Sequence, residues 1–561
     1  MVQSGARVYF VVYHLTMGKS LNDILYSLLA FCLGLIWAFI PSYEYFIDAV
    51  SYLRSFYNPN YAHLLIHPYH PIFPGLWMIM WSVNDVMQKP ESLLRAGAMA
   101  ISIFSGLGLW ATYRWGRILR LSIFESLLGA MALGGIGAWA YFSNQWACYI
   151  PGISLMLIGF LIIAGEELKH IGDTKDGKNR LIRYYAGGLM LGLSASFHLL
   201  TILALPGFFA ILCRRWGGII RLITFLTGFL TAILIVWGLG ALEYRHLTGS
   251  GGFSSWVSSS YGINRNFWGP FNILLQLNAS YIGNVKVLFL GFFSSEWGLG
   301  ILEQLNQPGW NRIWVLLEAT GCIIGMFGFV VFIISCLGGW IKSRDISRKE
   351  RMRGKLFGLF IIWLVLAIFS SFYVAYHSHY RLFAWAVMWW LILGIYADIS
   401  VNRCKGLRMV SLIMIVVGLW GHNLIAGPLH WADRNNNPYI VEANMINETS
   451  YGSVPAIVES GSTGFARENY LSLFRRSAYC ANMETIRLRK NRDVFPSGEL
   501  SKQYIWVTGQ ALVELRWDIR ENKRIVTDKT SFNIKGIRID GLTVKMDLET
   551  PLGMVYLLKW E

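Results

Sequence analysis

The residues that could carry chemistry fall in four short stretches. Pro41-Ser-Tyr-Glu44-Tyr-Phe-Ile-Asp48-Ala-Val-Ser-Tyr52 holds two carboxylates spaced i, i+4, which would share one face of a helix. His67-Pro-Tyr-His70-Pro-Ile-Phe-Pro74 sets two imidazoles in a proline-rich turn. His198 interrupts Tyr184–Cys213, thirty residues with no Asp, Glu, Lys or Arg. Tyr376-His377-Ser-His379-Tyr380-Arg381 adds two imidazoles and a guanidinium. Carboxylates and imidazoles exchange protons, and Arg presents five donors on a permanent charge. An enzyme working at a membrane surface has to gather such groups at the ends of its spans.

Each group also has a structural reading. Glu44 and Asp48 fit a solvated helix face, and His67 and His70 fit a turn anchoring a surface helix. His198 fits a hairpin apex whose backbone needs a partner, although an ionisable residue within apolar sequence is a functional candidate. Arg381 fits an interfacial anchor and Glu318 a snorkelling carboxylate. The 24 Trp and 27 Tyr fit interface anchors, with some outer ones free to line a pocket.

The elements that must position these groups are membrane helices. Hydrophobic residues make up 54% and charged ones 15%, well below the roughly 25% charge of ordinary globular chains. Apolar runs near the 20 residues that cross a bilayer occur at Leu21–Ile40, Ala96–Thr112, Leu127–Tyr141, Trp146–Gly165, Leu222–Leu242, Ile313–Ile341, Leu356–Tyr376, Leu382–Ala397 and Met409–Leu429. The net charge of +16 lies in short loops beside these runs, so it sets topology and gives no reason to expect nucleic acid. Arg114–Arg120, Lys169–Arg183, Arg214–Arg221, Lys342–Lys355 and Arg403–Arg408 mark cytoplasmic loops. Both flanks of Tyr184–Cys213 are then cytoplasmic, which predicts two short helices meeting near His198 and about eleven membrane segments in all. The first outer loop (41–95), the turn near Asn144, the long outer loop (243–311) and 377–381 face outward. His70–Val86 reads as an amphipathic helix lying on the outer surface, and Tyr281–Gly298 as a surface-lying or re-entrant segment.

The expected fold class is mainly α: a polytopic membrane domain over 1–429, N-terminus cytoplasmic, and a small α/β or α+β soluble domain outside over 430–561. Within the latter, Ala456–Glu459, Tyr504–Val507, Gly536–Ile539 and Met554–Lys559 read as strands, Gly461–Gly464 as a turn and Arg467–Arg476 as a helix. Gly461-Ser-Thr-Gly464 lacks the Lys-Ser/Thr of a phosphate loop. No CxxC occurs among the seven cysteines, so neither a disulfide framework nor a zinc site is expected. Ile24–Ile40 is long for a signal peptide and no A-x-A site follows it.

The chain resembles the GT-C glycosyltransferases that use lipid phosphosugars, and within them the bacterial membrane proteins related to protein O-mannosyltransferases. The likeness rests on Asp48-Ala-Val-Ser-Tyr-Leu53 with His67-Pro-Tyr-His-Pro71, on Gly192-Leu-Ser-Ala-Ser-Phe-His198-Leu through Pro206-Gly207, and on Tyr380-Arg381-Leu-Phe before an aromatic-rich span. It implies a GT-C-like fold and sugar transfer from a polyprenyl-phosphate carrier to a hydroxyl of a protein, glycan or lipid. It further implies Asp48 as base, with Glu44 beside it. Arg381 would meet the leaving phosphate, helped by His377 or His379, and His67, His70 and His198 would lie about the substrate. Many relatives carry an acidic residue in the second outer loop; here Tyr141-Phe-Ser-Asn-Gln-Trp-Ala-Cys148-Tyr149 has none. That leaves dependence on a divalent metal open, and with it whether Glu44 or Glu318 substitutes. A bacterial cytoplasmic membrane is expected over the endoplasmic reticulum.

Two other classes compete. A transporter or lipid flippase would place ionisable groups at mid-membrane in two related halves, whereas here they cluster at span ends without an internal repeat. A non-catalytic scaffold would use the C-terminal domain to bind partners.

Overall fold

The computed structural model describes residues 21–43, 45, 49–51, 53–54, 90–169, 177–213, 218–248, 253–254, 256–257, 312–342, 346–372, 378–398, 405–475, 480–483, 504–520 and 543–559. The chain forms two compact units. The first is Met1–Pro41, Ile66–Met78 and Ala96–His430; the second is Ser42–Leu65, Ile79–Arg95 and Trp431–Glu561. The second unit thus adds to the C-terminal residues two pieces of the expected first outer loop. Its claim on that loop is apolar: Tyr45, Val50 and Leu53 are buried.

The first unit is helical. In chain order it contains α1 (Leu21–Leu35), α2 (Pro90–Ile118, its first turns in the second unit), α3 (Ile123–Gly135), α4 (Gly137–Ser143), α5 (Tyr149–Lys169) and α6 (Gly177–Phe197). Then follow α7 (Leu205–Leu212), α8 (Gly218–Thr248), α9 (Arg312–Lys342), α10 (Ile346–Phe372), α11 (Leu382–Asp398) and α12 (Lys405–Leu424). Five described helices are long and apolar enough to cross a membrane, and the pair α3–α4 makes a sixth if counted as one span. Four shorter apolar helices join them at Tyr149–Gly165, Leu199–Leu212, Leu356–Ser370 and Leu382–Ala397. With Leu, Ile and Phe exposed along α8 and α9, where water would be costly, the molecule is an integral membrane protein.

Two expected spans are broken. Leu127–Tyr141 was read as one helix, but α3 and α4 meet at 73°. The reason lies in Gly134-Gly135-Ile136-Gly137, where Ile136 turns extended and ends the ladder. Carbonyls near the break are met by side chains of α12: Asn423 Nδ2 donates to Gly135 O at 2.7 Å and Trp420 Nε1 to Met131 O at 2.8 Å. The second break is the expected one: α6 ends at Phe197, His198 is extended, and a 3-10 stretch, Leu199–Ala204, leads into α7. Elsewhere small residues let backbones touch. A Cβ on Gly188 would strike the carbonyl of Phe225 in α8, and one on Gly418 would strike Gly325 in α9. The surface-lying segments expected over 70–86 and 281–298 lie outside the described residues.

One end of the bundle is ionic. Asp23 on α1 accepts from Arg117 Nε at 2.8 Å, Tyr113 Oη at 2.7 Å and Arg114 Nη1 at 3.4 Å on α2. At the same end Glu125 closes a capping box on Ser122 and accepts from Tyr396 Oη at 2.7 Å, while Arg408 lies over the Tyr396 ring. The arginines that mark a loop in the sequence therefore also clamp helices.

The second unit packs α13 (Pro438–Glu448), α14 (Gly461–Phe474) and α15 (Gly509–Arg520) with a sheet of β1 (Ala456–Val458), β2 (Cys480–Asn482), β3 (Tyr504–Thr508), β4 (Thr543–Thr550) and β5 (Gly553–Lys559). Strand order is β2-β1-β3-β5-β4; β1 runs parallel to β2 and β3, and β5 antiparallel to β3 and β4. Expectation missed β2 and β4 and began the helix late. The stretch Gly461–Gly464, read as a turn, is the first turn of α14: Gly461 takes φ +82, and a Cβ on Gly464 would strike Glu459 O. The strand expected at Gly536–Ile539 lies outside the described residues.

Its interior contains charge. Arg467 reaches Glu459 through Nη1 at 2.9 and 3.0 Å, Glu442 through Nε at 3.1 Å and Leu552 O through Nη2 at 2.9 Å. Thr508 Oγ1 donates to Glu459 at 2.7 Å. Burial pushes the Glu442 carboxyl from an ordinary 4.5 up to about 7, against the pull of Arg467. The folded state therefore keeps a proton that the unfolded chain releases at lower pH. Stability is full below the ordinary value and falls as pH rises through about 7. Glu442→Gln is expected to flatten the fall in melting temperature across that range, measured by thermal unfolding of the full chain at stepped pH; an unchanged slope would refute the assignment.

Candidate functional site

The end of the bundle opposite the ionic one gathers rings and hydrogen-bond donors. Tyr149 opens α5, His198 stands at the break after α6, and Tyr380 and Arg381 lie in a 3-10 turn, Ser378–Arg381, that leads into α11. Around His198 the ring centroids lie at 5.0 Å to Tyr149, 5.0 Å to Phe383 and 5.9 Å to Tyr380. Tyr149 in turn lies 6.2 Å from Tyr380 and 4.9 Å from Phe142 at the end of α4. Ends of three helices and one turn thus meet at one imidazole, with the end of α4 one ring further out.

The local sequence explains why they can. Ser194 Oγ on α6 donates to Gly152 O on α5 at 2.6 Å, pinning the two helices beside the break. A Cβ on Gly152 would lie 3.3 Å from His198 Cβ, so that position leaves little room for more. His198 Nδ1 accepts from Leu200 N at 3.2 Å. In the neutral ring the proton then sits on Nε2. Arg381 is 2% exposed at the next turn. A permanent charge so buried is stable only where acceptors or an anion meet it.

Of the residues singled out by sequence, His198 and Arg381 are placed, and the turn that holds Arg381 brings Tyr380 against His198. Glu44, Asp48, His67, His70 and His377 lie outside the described residues, and of His379 only the backbone is described, in the turn Ser378–Arg381. Glu318 does not snorkel. It is 1% exposed, buried between α9 and α12 with His422 Nδ1 3.5 Å from its Oε1 and 3.3 Å from its carbonyl. Nearby Trp37, after α1, stacks on Trp420 at 5.2 Å. Sequence reasoning missed His422, although an imidazole near the end of an apolar span was the signal used for His198. It also missed the wall formed by Phe142, Tyr149 and Phe383, since one aromatic among many carries no mark of its neighbours. Among the described residues no group of three or more His, Cys, Asp or Glu is placed to hold a metal.

No protein-family model matches the chain, and no curated protein matches it by sequence. Among solved structures it is similar to the apo oligosaccharyltransferase of Archaeoglobus fulgidus, at 12% identity and a TM-score of 0.48, over 90% of this chain and 72% of that one. It is similar also to ArnT from Cupriavidus metallidurans bound to undecaprenyl phosphate (10%, TM-score 0.39, 95% and 97% covered). A third is the mycobacterial arabinofuranosyltransferase AftD (13%, TM-score 0.40, 86% and 35% covered).

The hydrogen bond to Leu200 separates two jobs of His198. His198→Leu leaves a buried N–H without its acceptor, which costs about 1–3 kcal/mol. His198→Asn offers an oxygen in its place. The leucine variant is expected to melt clearly lower in detergent and the asparagine variant close to wild type; equal melting of the two would remove the structural role assigned to Nδ1.

Proposed function

We propose that the chain is a membrane glycosyltransferase that moves a sugar from a polyprenyl-phosphate carrier to an acceptor hydroxyl on the extracytoplasmic face. The observation that carries this reading is the meeting of His198 with the Tyr380–Arg381 turn. The two come from distant parts of the chain, and both belong to the motifs that resemble the GT-C enzymes.

The chemistry asks three things of the protein. The acceptor oxygen forms its bond to the anomeric carbon as the bond from that carbon to the carrier phosphate breaks. The acceptor's proton passes to a carboxylate, a role given to Asp48 with Glu44 as its neighbour. Negative charge grows on the departing phosphate, and Arg381 with the Nε2–H of His198 supplies donors for it. His67, His70, His377 and His379 complete the polar set around the headgroup. The faces of Tyr149, Tyr380 and Phe383 suit the apolar side of a sugar ring or the first prenyl unit. A single displacement of this kind inverts the anomeric centre. The reading includes the topology that loop charge implies: about eleven segments, N-terminus inside and C-terminal unit outside. The acceptor is a protein, a glycan or a lipid, and a divalent metal is left open.

Transfer from a radiolabelled polyprenyl-phosphate sugar tests the proposal. Asp48→Asn is expected to lower the rate by about 10²-fold or more. Arg381→Lys, which loses the planar fork, should also lower it by about 10²-fold. Wild-type rates in both variants would sink the assignment, and substrate uptake into vesicles without transfer would replace it with a transporter.

A further inference from the structure

The C-terminal residues of the second unit have no step in the reaction proposed above, yet they grip the chain that follows the first span. Tyr43 N donates to Trp431 O at 2.8 Å, and Asn437 Nδ2 donates to Tyr43 O at 2.6 Å. Two residues on, the backbone of Tyr45 is held at both of its polar groups by one phenol. Tyr470 Oη accepts from Tyr45 N at 3.1 Å and donates to Tyr45 O at 2.8 Å, and it also accepts from Asn437 Nδ2 at 3.3 Å. One proton and two lone pairs are the whole capacity of a tyrosine hydroxyl, so this oxygen is fully committed. The Tyr45 ring joins a ring cluster as well, lying 5.9 Å from Phe474 at 7° and 6.4 Å from Tyr470.

A second grip follows within the same unit. Ala49, Val50 and Leu53 are buried. Arg54 Nη2 pairs with Glu468 Oε1 at 3.0 Å and donates to Cys480 O at 3.2 Å, while Nη1 donates to Asn469 Oδ1 at 3.3 Å. Asn482 Nδ2 donates to the other Glu468 oxygen at 2.6 Å, so that carboxylate is itself braced from β2. A buried ion pair with each partner further hydrogen-bonded holds one geometry, because breaking it strands a charge. Three residues, Phe46-Ile47-Asp48, separate Tyr45 from Ala49.

We infer that the C-terminal residues of the second unit are the positioning element for the chain that carries Asp48, clamping it before that residue, at Tyr43 and Tyr45, through Asn437 and Tyr470, and after it, at Arg54, through Glu468. The inference rests on the reading of Asp48 as base. A general base acts only within hydrogen-bond reach of the proton it takes, and misplacement by about 1 Å can cost about 10²-fold in rate.

Tyr470→Phe removes both hydrogen bonds to Tyr45 and keeps the ring; Glu468→Gln removes the charge that pairs Arg54 and keeps the shape. In the full chain each is expected to speed amide hydrogen exchange across residues 43–54 severalfold. Each should lower kcat for transfer by about tenfold to hundredfold with the KM for the carrier sugar held. A domain serving only as a foldable appendage would move melting temperature without this split. Wild-type exchange in the segment, or wild-type kcat in both variants while Asp48→Asn is inactive, overturns the inference and leaves the base assignment standing. Wild-type transfer by Asp48→Asn overturns the base assignment, and with it the purpose of the clamp, while the exchange rates still decide whether the clamp exists.

Discussion

Inside hydrocarbon every backbone N–H and C=O needs a partner from the protein, and each one left unmet costs several kcal/mol. The chain breaks its helices all the same, at Ile136 and at His198. Each break is tolerated because side chains are at hand. Asn423 and Trp420 cover carbonyls at the first, and the His198 ring itself takes the Leu200 N–H at the second. A break so covered does something that a continuous helix cannot: it turns the chain within the bundle and leaves a side chain at the turn. His198 is that side chain, and the candidate site is built around it.

Charge obeys the same economy. An ionised group taken out of water must be paired or must serve a purpose. Asp23 meets Arg114, Arg117 and Tyr113 at one end of the helices, and Glu125 meets Tyr396 there as well. The opposite end keeps Arg381 buried beside a ring cluster, and Glu318 against His422. The asymmetry is chemical as well as topological. One end is closed on itself by salt bridges, and the other is lined by aromatic faces and by donors suited to an anion.

The second unit solves a different problem, since it is built around a small sheet. Its buried Arg467 links Glu442 and Glu459 across α13, β1 and α14. Its Tyr470 and Glu468 hold Tyr45 and Arg54. Ionic and phenolic groups that would be expensive in an isolated sheet therefore act as clasps for a distant piece of chain.

Much of this was legible from the sequence. Apolar run length marked most of the helices, because hydrocarbon thickness sets a length that any membrane helix must meet. The uncharged run around His198 predicted its break, since a single straight helix would have been too long for flanks of like charge. The chemistry of His198 and Arg381 was visible because ionisable residues are rare in such a background. The bend at Ile136 was not, for glycines occur throughout these helices, and only Asn423 and Trp420, arriving from α12, make that one a corner. The strands β2 and β4 were missed because their neighbours in the sheet, and no pattern within each strand, decide their pairing. Above all, the aromatic wall about His198 and the hold of Tyr470 and Glu468 on the chain near Asp48 join residues hundreds of positions apart. Composition and periodicity report what a segment can become. Which segments share a surface is decided when their buried groups find partners, and that is a property of the folded chain alone.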